Sequence, residues 1–248
     1  VTGSGENLEF DRLVIACGGL AGTKLGGGMS GYKILRGLGH DCTKLRPALV
    51  QVKTDWKAVA SLKGVRANCR AEILRNGEVF AASAGELQFT EFGLSGPVMF
   101  EISRDVCQGQ GDWQCSLDFL PDCTEAELTG ALSEKRGLGQ NASELFTGIL
   151  HNRLGRVLTQ AAGISLNSPL AAVTETEIRE AAKVCKGLRV HLTEPLGMDS
   201  AQVTAGGIRT AQWDSSTMES RLVPGLYACG EVLDIDGDCG GYNLQWAW

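Results

Sequence analysis

Apolar and polar positions change their period several times along the chain, and each change marks a new kind of element. "RLVIACGG" (12–19) is a short continuous apolar run closed by two glycines, the pattern of a strand buried on both faces of a parallel sheet. In "SGYKILRGLGH" (30–40), Tyr32, Ile34, Leu35 and Leu38 fall on one helical stripe, and Gly39 offers a stop. Period two follows. Val65, Ala67, Cys69, Ala71 and Ile73 alternate with Arg66, Asn68, Arg70 and Glu72, as a half-buried strand requires. Asn76-Gly77 supplies the left-handed residues of a tight hairpin before "EVFAA" returns, and Trp113, Cys115, Leu117 and Phe119 repeat the alternation. These strands predict a small antiparallel barrel or sandwich.

From Pro121 the period becomes helical. "TEAE" (124–127) and "TETE" (174–177) are capping boxes. Between them "SELFTGILHNRLGRVLTQAAG" (143–163) places Leu145, Ile149, Leu154 and Leu158 at helical spacing, and a third helix stops near Gly187. Strands resume at "LRVHLT" (188–193) and "AQVTAGGI" (201–208), and "GLYACGE" (225–231) reads as a second buried strand after a Pro-Gly turn. The order, α/β unit, strands, helices, strands and α/β unit again, reads as an insertion within a nucleotide-binding α/β fold. The expected divisions are 1–46, an insert of 47–207 (β-rich over 47–121 and 188–207, helical over 122–187), and 208–248.

Composition narrows the function classes. With 248 residues, 43% apolar and 21% charged, the chain has ordinary globular usage. Its net charge of −6 and lack of a basic run argue against nucleic-acid and membrane partners, and no apolar stretch is long enough to span a bilayer. Nine cysteines contain no C-x-x-C pair, and the three histidines are widely separated. No metal site is expected; the thiols read as free, buried or half-buried, in a reducing, cytoplasmic setting. Asp234, Asp236 and Asp238 imitate a calcium loop, but Gln245 stands where the bidentate glutamate belongs. No Ser-His triad motif is present. "GGGMSG" (26–31) satisfies G-x-G-x-x-G, yet "LAGTKL" separates it from the preceding strand and no acid ends a strand twenty residues on, so it reads as a loop.

Candidate binding residues lie where strands end in glycine. Gly18 and Gly19 close the first strand, and Gly230 precedes Glu231 after the last. Ligands of open α/β sheets bind beyond such carboxyl ends, where glycine lets a backbone amide approach closely. "GGYNLQ" adds Gly240 and Gly241 before a helix start at Tyr242, Asn243 and Leu244, whose free amides favour negative charge.

Four stretches carry a family resemblance: "GELQFTEFGLSGPVMFEIS", "AQVTAGGI", "TMES" and "VPGLYACGEVLDIDGDCGGYNLQWAW". The chain resembles the bacterial BaiN/RdsA-type FAD-dependent flavoproteins, some aminoacetone-oxidase-like and one branch reducing enone bonds in bile acids. "LGHDCTKLRPALVQV" and "LHNRLGRVL" extend the likeness over nearly the whole chain, and the layout is also similar to fumarate-reductase-like flavoproteins. The resemblance implies a partial FAD-binding, Rossmann-like α/β domain interrupted by an inserted β-barrel plus helical subdomain. It places Gly18 and Gly19 near the adenosine end of FAD, Gly206 and Gly207 beside the isoalloxazine, Gly230 and Glu231 at the ribityl-phosphate region, and Gly241 to Leu244 under the pyrimidine ring. "FTEFGLSGP" becomes a loop over the flavin, with Thr90 and Ser95 as substrate candidates and Thr90, Glu91 and His191 as proton-donor candidates. A small-molecule substrate is implied, with NAD(P)H as electron donor in an intact enzyme.

The chain departs from the family by lacking the strand–GxGxxG–helix unit and by stopping at "WAW". It therefore reads as an internal piece with an incomplete FAD site, inactive alone. The competing reading is a non-catalytic module without cofactor, acting in ligand binding or assembly.

Overall fold

The computed structural model describes residues 5, 7–109 and 111–248, so residues 1–4 and 6 of the expected first segment, and residue 110, lie outside the described residues. In chain order the elements are β1 (Leu13–Ile15), α1 (Ser30–Gly37), β2 (Arg46–Ala48), β3 (Val52–Thr54), β4 (Arg66–Arg75), β5 (Glu78–Phe89), β6 (Gly93–Ser95), α2 (Pro97–Gln108) and β7 (Trp113–Asp118). They continue with α3 (Glu125–Glu134), α4 (Asn152–Ala161), α5 (Glu175–Lys186), β8 (Leu188–Pro195), β9 (Val203–Ala205), β10 (Leu226–Ala228) and α6 (Tyr242–Ala247). Two compact units result: Val1–Leu49 with Gly197–Trp248, and Val50–Leu196. The periodicity divides the chain instead after 46 and 207, because it groups β9 with the barrel strands, whereas β9 pairs with β2, Ala48 opposite Val203.

The unit Val50–Leu196 is a closed barrel in the order β3-β6-β5-β4-β7-β8, with helices packed around it. Alternation does what the pattern predicts: Cys69, Ala71 and Ile73 of β4 and Cys115 and Leu117 of β7 are buried, while Arg66, Asn68 and Arg70 face out. Asn76 (φ +53°) and Gly77 (φ +87°) form the hairpin between β4 and β5, both in the left-handed region that these residue types tolerate. Two expectations fail here. "FTEFGLSGP" is not one loop: Gly93–Ser95 form β6, paired with both β3 and β5, and Pro97 begins α2. Only α2 residues such as Val98, Met99 and Ile102, buried at helical spacing, could have signalled that helix. Residues 143–151 do not continue into α4 either. His151 has extended backbone (φ −56°, ψ 130°), and its Nδ1 caps the helix by accepting the Arg153 N–H.

Both capping boxes form. Thr124 Oγ1 accepts from Glu127 N at 3.2 Å while Glu127 Oε2 accepts from Thr124 N at 2.8 Å, and Thr174 and Glu177 repeat this at 3.3 and 2.8 Å. Hydrogen bonds from the two threonines hold both glutamates below the ordinary carboxyl value of 4.5. A depressed folded pKa stabilises above the unfolded value, and the contribution is lost as pH falls through the folded value. Replacing both threonines by alanine is expected to cost about 1 kcal/mol per cap at pH 7. The deficit should shrink in denaturant titrations at pH 3; an equal deficit at both pH values would refute the hydroxyl-to-carboxylate bond, since alanine keeps the backbone N–H that each glutamate also accepts.

The other unit holds two two-stranded sheets, β1-β10 parallel and β2-β9 antiparallel. Its core gathers Ile15, Tyr32, Leu35, Ile208, Trp213, Leu226, Ala228 and Val232. Buried His40 stacks on Trp213 at 4.7 Å. Its Nδ1 lies 3.2 Å from the Leu35 carbonyl and so donates, which leaves Nε2 to accept from the Ser220 hydroxyl at 2.9 Å. Two sequence expectations are corrected. Val14 is 57% exposed, so β1 is not buried on both faces; among the described residues it pairs with β10 alone. On α1 only Tyr32 and Leu35 of the proposed stripe are buried, while Ile34 and Leu38 lie on a neighbouring, exposed face. Cys17 is likewise exposed rather than half-buried.

Candidate functional site

Parallel pairing sets Ile15 opposite Ala228, so the two glycine-ended strands finish side by side. Cys229 N–H donates to the Ile15 carbonyl at 3.1 Å, carrying the ladder one step further. Beyond it the chain turns at Gly18 (φ +70°) and Gly230 (φ +75°), conformations that L side chains rarely adopt. A cavity of about 480 Å³ opens over these ends. Seven of the predicted residues line it: Gly18, Gly230, Glu231, Gly240, Gly241, Asn243 and Leu244. Leu49, Val203, Cys229 and Ala247 complete its apolar wall. An adjoining cavity of about 720 Å³ shares Ala16, Gly18, Gln202 and Glu231 and takes in Gly19 and the loop through Gly27.

Glu231 ties the strand ends together. Its Oε1 accepts the Thr204 N–H at 2.9 Å, and Thr204 Oγ1 in turn accepts the amides of Leu20 and Ala21, both at 2.8 Å. The Tyr32 hydroxyl donates to the Glu231 carbonyl at 3.2 Å. Burial, reinforced by the Glu231 carboxylate, pushes the Tyr32 phenol up, so it keeps the proton it donates. Gly19 is required by this latch: a Cβ there would lie 2.0 Å from Glu231 Oε1 and 2.6 Å from Thr204 Oγ1.

The remaining predicted residues stand elsewhere. Gly206 and Gly207 line neither cavity. They pack three backbone segments against one another, since a Cβ on Gly206 would meet the Lys44 carbonyl oxygen at 2.4 Å and one on Gly207 the Leu233 carbonyl carbon at 2.5 Å. Asn243 closes the acidic loop, with Oδ1 accepting from Gly237 N at 2.8 Å and Nδ2 donating to the Gly237 carbonyl at 2.9 Å. Tyr242 is 65% exposed and off the cavity.

In the barrel unit, Thr90 Oγ1 accepts from Gln51 Nε2 at 2.5 Å and donates to the Gly93 carbonyl at 3.0 Å, which makes it the clasp of the turn before β6. Ser95 ends β6, opposite Gln88. Glu91 pairs with Lys63 at 2.7 Å. His191 lies between Asp55 (3.2 Å) and Asp112 (3.1 Å) on the barrel surface. No group of three or more metal-ligating side chains occurs among the described residues. No described helix is long and apolar enough to cross a membrane.

Leu49 stands out among the cavity residues that sequence reasoning missed. It is 3% exposed yet has φ +50°, a conformation that costs a non-glycine residue about 1–2 kcal/mol. Its carbonyl accepts the Gln202 N–H at 3.3 Å. No residue-type signal marks a leucine for the left-handed region, which tertiary packing alone imposes here.

Several known proteins are similar to this chain in sequence. The chain is 36% identical over 253 residues to the 3-dehydro-bile acid delta(4,6)-reductase of Clostridium scindens, covering 100% of this chain and 62% of that protein. It is 34% identical over 252 residues to the ribosomal RNA dihydrouridine synthase of Escherichia coli (99% and 60%), and 30% identical over 244 residues to that of Haemophilus influenzae (97% and 58%). The chain thus spans about 60% of the length of these relatives. The family described as HI0933-like protein Rossmann domain matches residues 1–248. The chain, Rossmann-like with an inserted closed barrel, belongs to that family.

Proposed function

We propose that the chain is the part of an FAD-dependent oxidoreductase that receives the flavin, acting in the intact protein on a small molecule with a reducible carbon–carbon double bond. The observation that carries this reading is the cavity at the paired carboxyl ends of β1 and β10, walled by glycines and aliphatic side chains, with Glu231 and Asp238 as its two acidic residues. Its residues fit the group. Gly18, Gly230, Gly240 and Gly241 present backbone without a Cβ, Leu49, Val203 and Ala247 offer an apolar face, and the Glu231 carboxylate suits a polyol hydroxyl. When bound, flavin supplies acceptance and donation of a hydride.

The protein's part is placement. Through Thr204, Glu231 holds the Leu20 and Ala21 amides, and so the loop after β1, at a fixed distance from the end of β10. Asn243 pins the acidic loop to α6. The aliphatic wall offers one apolar side of the cavity to a bound ring. The names of two relatives support a reduction, a 3-dehydro-bile acid delta(4,6)-reductase and a ribosomal RNA dihydrouridine synthase. Only the first of them names a small-molecule substrate. NAD(P)H is the proposed electron donor of the intact protein, and the separate chain is expected to be inactive in turnover.

Titrating the purified chain with FAD and lumiflavin, followed by flavin fluorescence and the visible band, tests the reading. Saturable quenching of both is expected. No binding of either would favour a module without cofactor. Binding of a short uridine-containing RNA by the chain would move the substrate class from a free small molecule to a nucleic acid.

A further inference from the structure

Among the described residues three that are not glycine have positive φ: Leu49, Asn76 and Met218. Asn76 sits in a hairpin turn, where asparagine is at home, and Met218 lies in the surface turn closed by its N–H to the Asp214 carbonyl at 2.8 Å. Leu49 alone has neither turn chemistry nor exposure, and it lines the cavity over the ends of β1 and β10. Ala48, Leu49 and Val50 are 0%, 3% and 0% exposed. Three consecutive buried side chains cannot occur on one face of a regular strand, whose side chains alternate. The left-handed residue breaks that alternation after β2 and brings the leucine to the cavity wall.

Most other contributions to that wall are small or exposed. Gly18, Gly230, Gly240 and Gly241 supply none, Ala16 and Ala247 one methyl each, the buried Val203 is one methylene smaller than leucine, and Leu244 is 79% exposed. Leu49 is therefore the largest buried aliphatic group available to a planar ligand there. We infer that Leu49 is a positioning residue for a flavin ring, its unfavourable backbone retained because it lays the side chain against the ring's face. The inference rests on the flavin reading above and goes beyond it by naming the side chain that locates the ring.

The test compares wild type with Leu49→Ala and Leu49→Asn in the full chain. Asparagine tolerates the left-handed backbone, so this second variant removes the apolar face without adding backbone strain, and circular dichroism melts establish that it is folded. The probes are lumiflavin, which is the ring alone, FAD, and ADP, which lacks the flavin ring. Both variants are expected to bind lumiflavin and FAD about tenfold more weakly, to shift the bound flavin's visible band, and to leave ADP affinity unchanged. Equal lumiflavin affinity and an unshifted band in a folded Leu49→Asn protein would overturn the inference alone. Loss confined to ADP would also overturn it, since the adenine end would then occupy this wall. A wild-type chain that binds no flavin overturns the functional reading and this inference with it.

Discussion

Gly207→Ala is expected to destabilise its unit by about 3 kcal/mol, the upper end for overpacking a closed interior. The added Cβ would lie 2.5 Å from the Leu233 carbonyl carbon and 2.6 Å from both Asp234 N and the Leu233 oxygen. All three are backbone atoms. They cannot swing aside as a side chain would, because Ile208 N–H donates to the Val232 carbonyl and Asp234 N–H to the Ile208 carbonyl, both at 2.9 Å. The same segment is held on its other side by Thr43 N–H to the Gly207 carbonyl at 2.8 Å and Gly207 N–H to Thr43 Oγ1 at 2.9 Å. Gly18→Ala is the control. Its Cβ meets nothing within 4 Å, so only the positive φ of +70° is penalised, by about 1–2 kcal/mol. Denaturant titrations of the two variants beside wild type decide the matter, and a Gly207→Ala protein within 1 kcal/mol of wild type would show that the three segments are not locked together.

The second large effect belongs to Glu231. Glu231→Ala takes the acceptor away from the Thr204 N–H, and Thr204 is fully buried. A buried donor left unpaired costs about 1–3 kcal/mol. The loss spreads, because the Thr204 hydroxyl that collects the Leu20 and Ala21 amides is carried on the same residue. Glu231→Gln retains an oxygen acceptor and is expected to stay within about 0.5 kcal/mol of wild type, while losing the negative charge at the junction of the two cavities. Flavin affinity then separates two roles. If the carboxylate only braces the loop, the glutamine variant binds like wild type; if it also receives a ligand hydroxyl, that variant binds about tenfold more weakly although folded. An alanine variant as stable as wild type would remove Glu231 from the latch altogether.

How far the sequence could be read follows from which forces are local. Alternation at Cys69, Ala71 and Ile73, the Asn76-Gly77 turn, and the two Thr-x-x-Glu boxes each announce structure within a few residues, because pleat, turn dihedrals and helix ends are short-range matters. Helix α2 was hidden by the Gly-Pro start that makes "FGLSGP" look like a loop, although proline at a first helical turn is well accommodated. The stripe on α1 misled because Ile34 and Leu38 are as apolar as the buried Tyr32 and Leu35, and period alone does not say which of two adjacent faces is covered. Residue type singles out Gly18, Gly230 and Glu231 as strand-end residues, and the three line one cavity. It was silent on Thr204 and Tyr32, whose partners lie 27 and 199 residues away in the chain.

By itself, then, the sequence determined the alternating strands β4 and β7, the hairpin turn, the two capped helices and the glycine-ended strands, all from patterns spanning a turn or a strand. Tertiary structure alone decided that β2 pairs with β9 and that the six barrel strands close on themselves. It likewise decided that Gly206 and Gly207 are packing residues and that Leu49 accepts a left-handed backbone at the cavity wall. These outcomes depend on which distant backbones come within van der Waals contact. Close packing sets that for the whole unit at once, and no window of residues contains it.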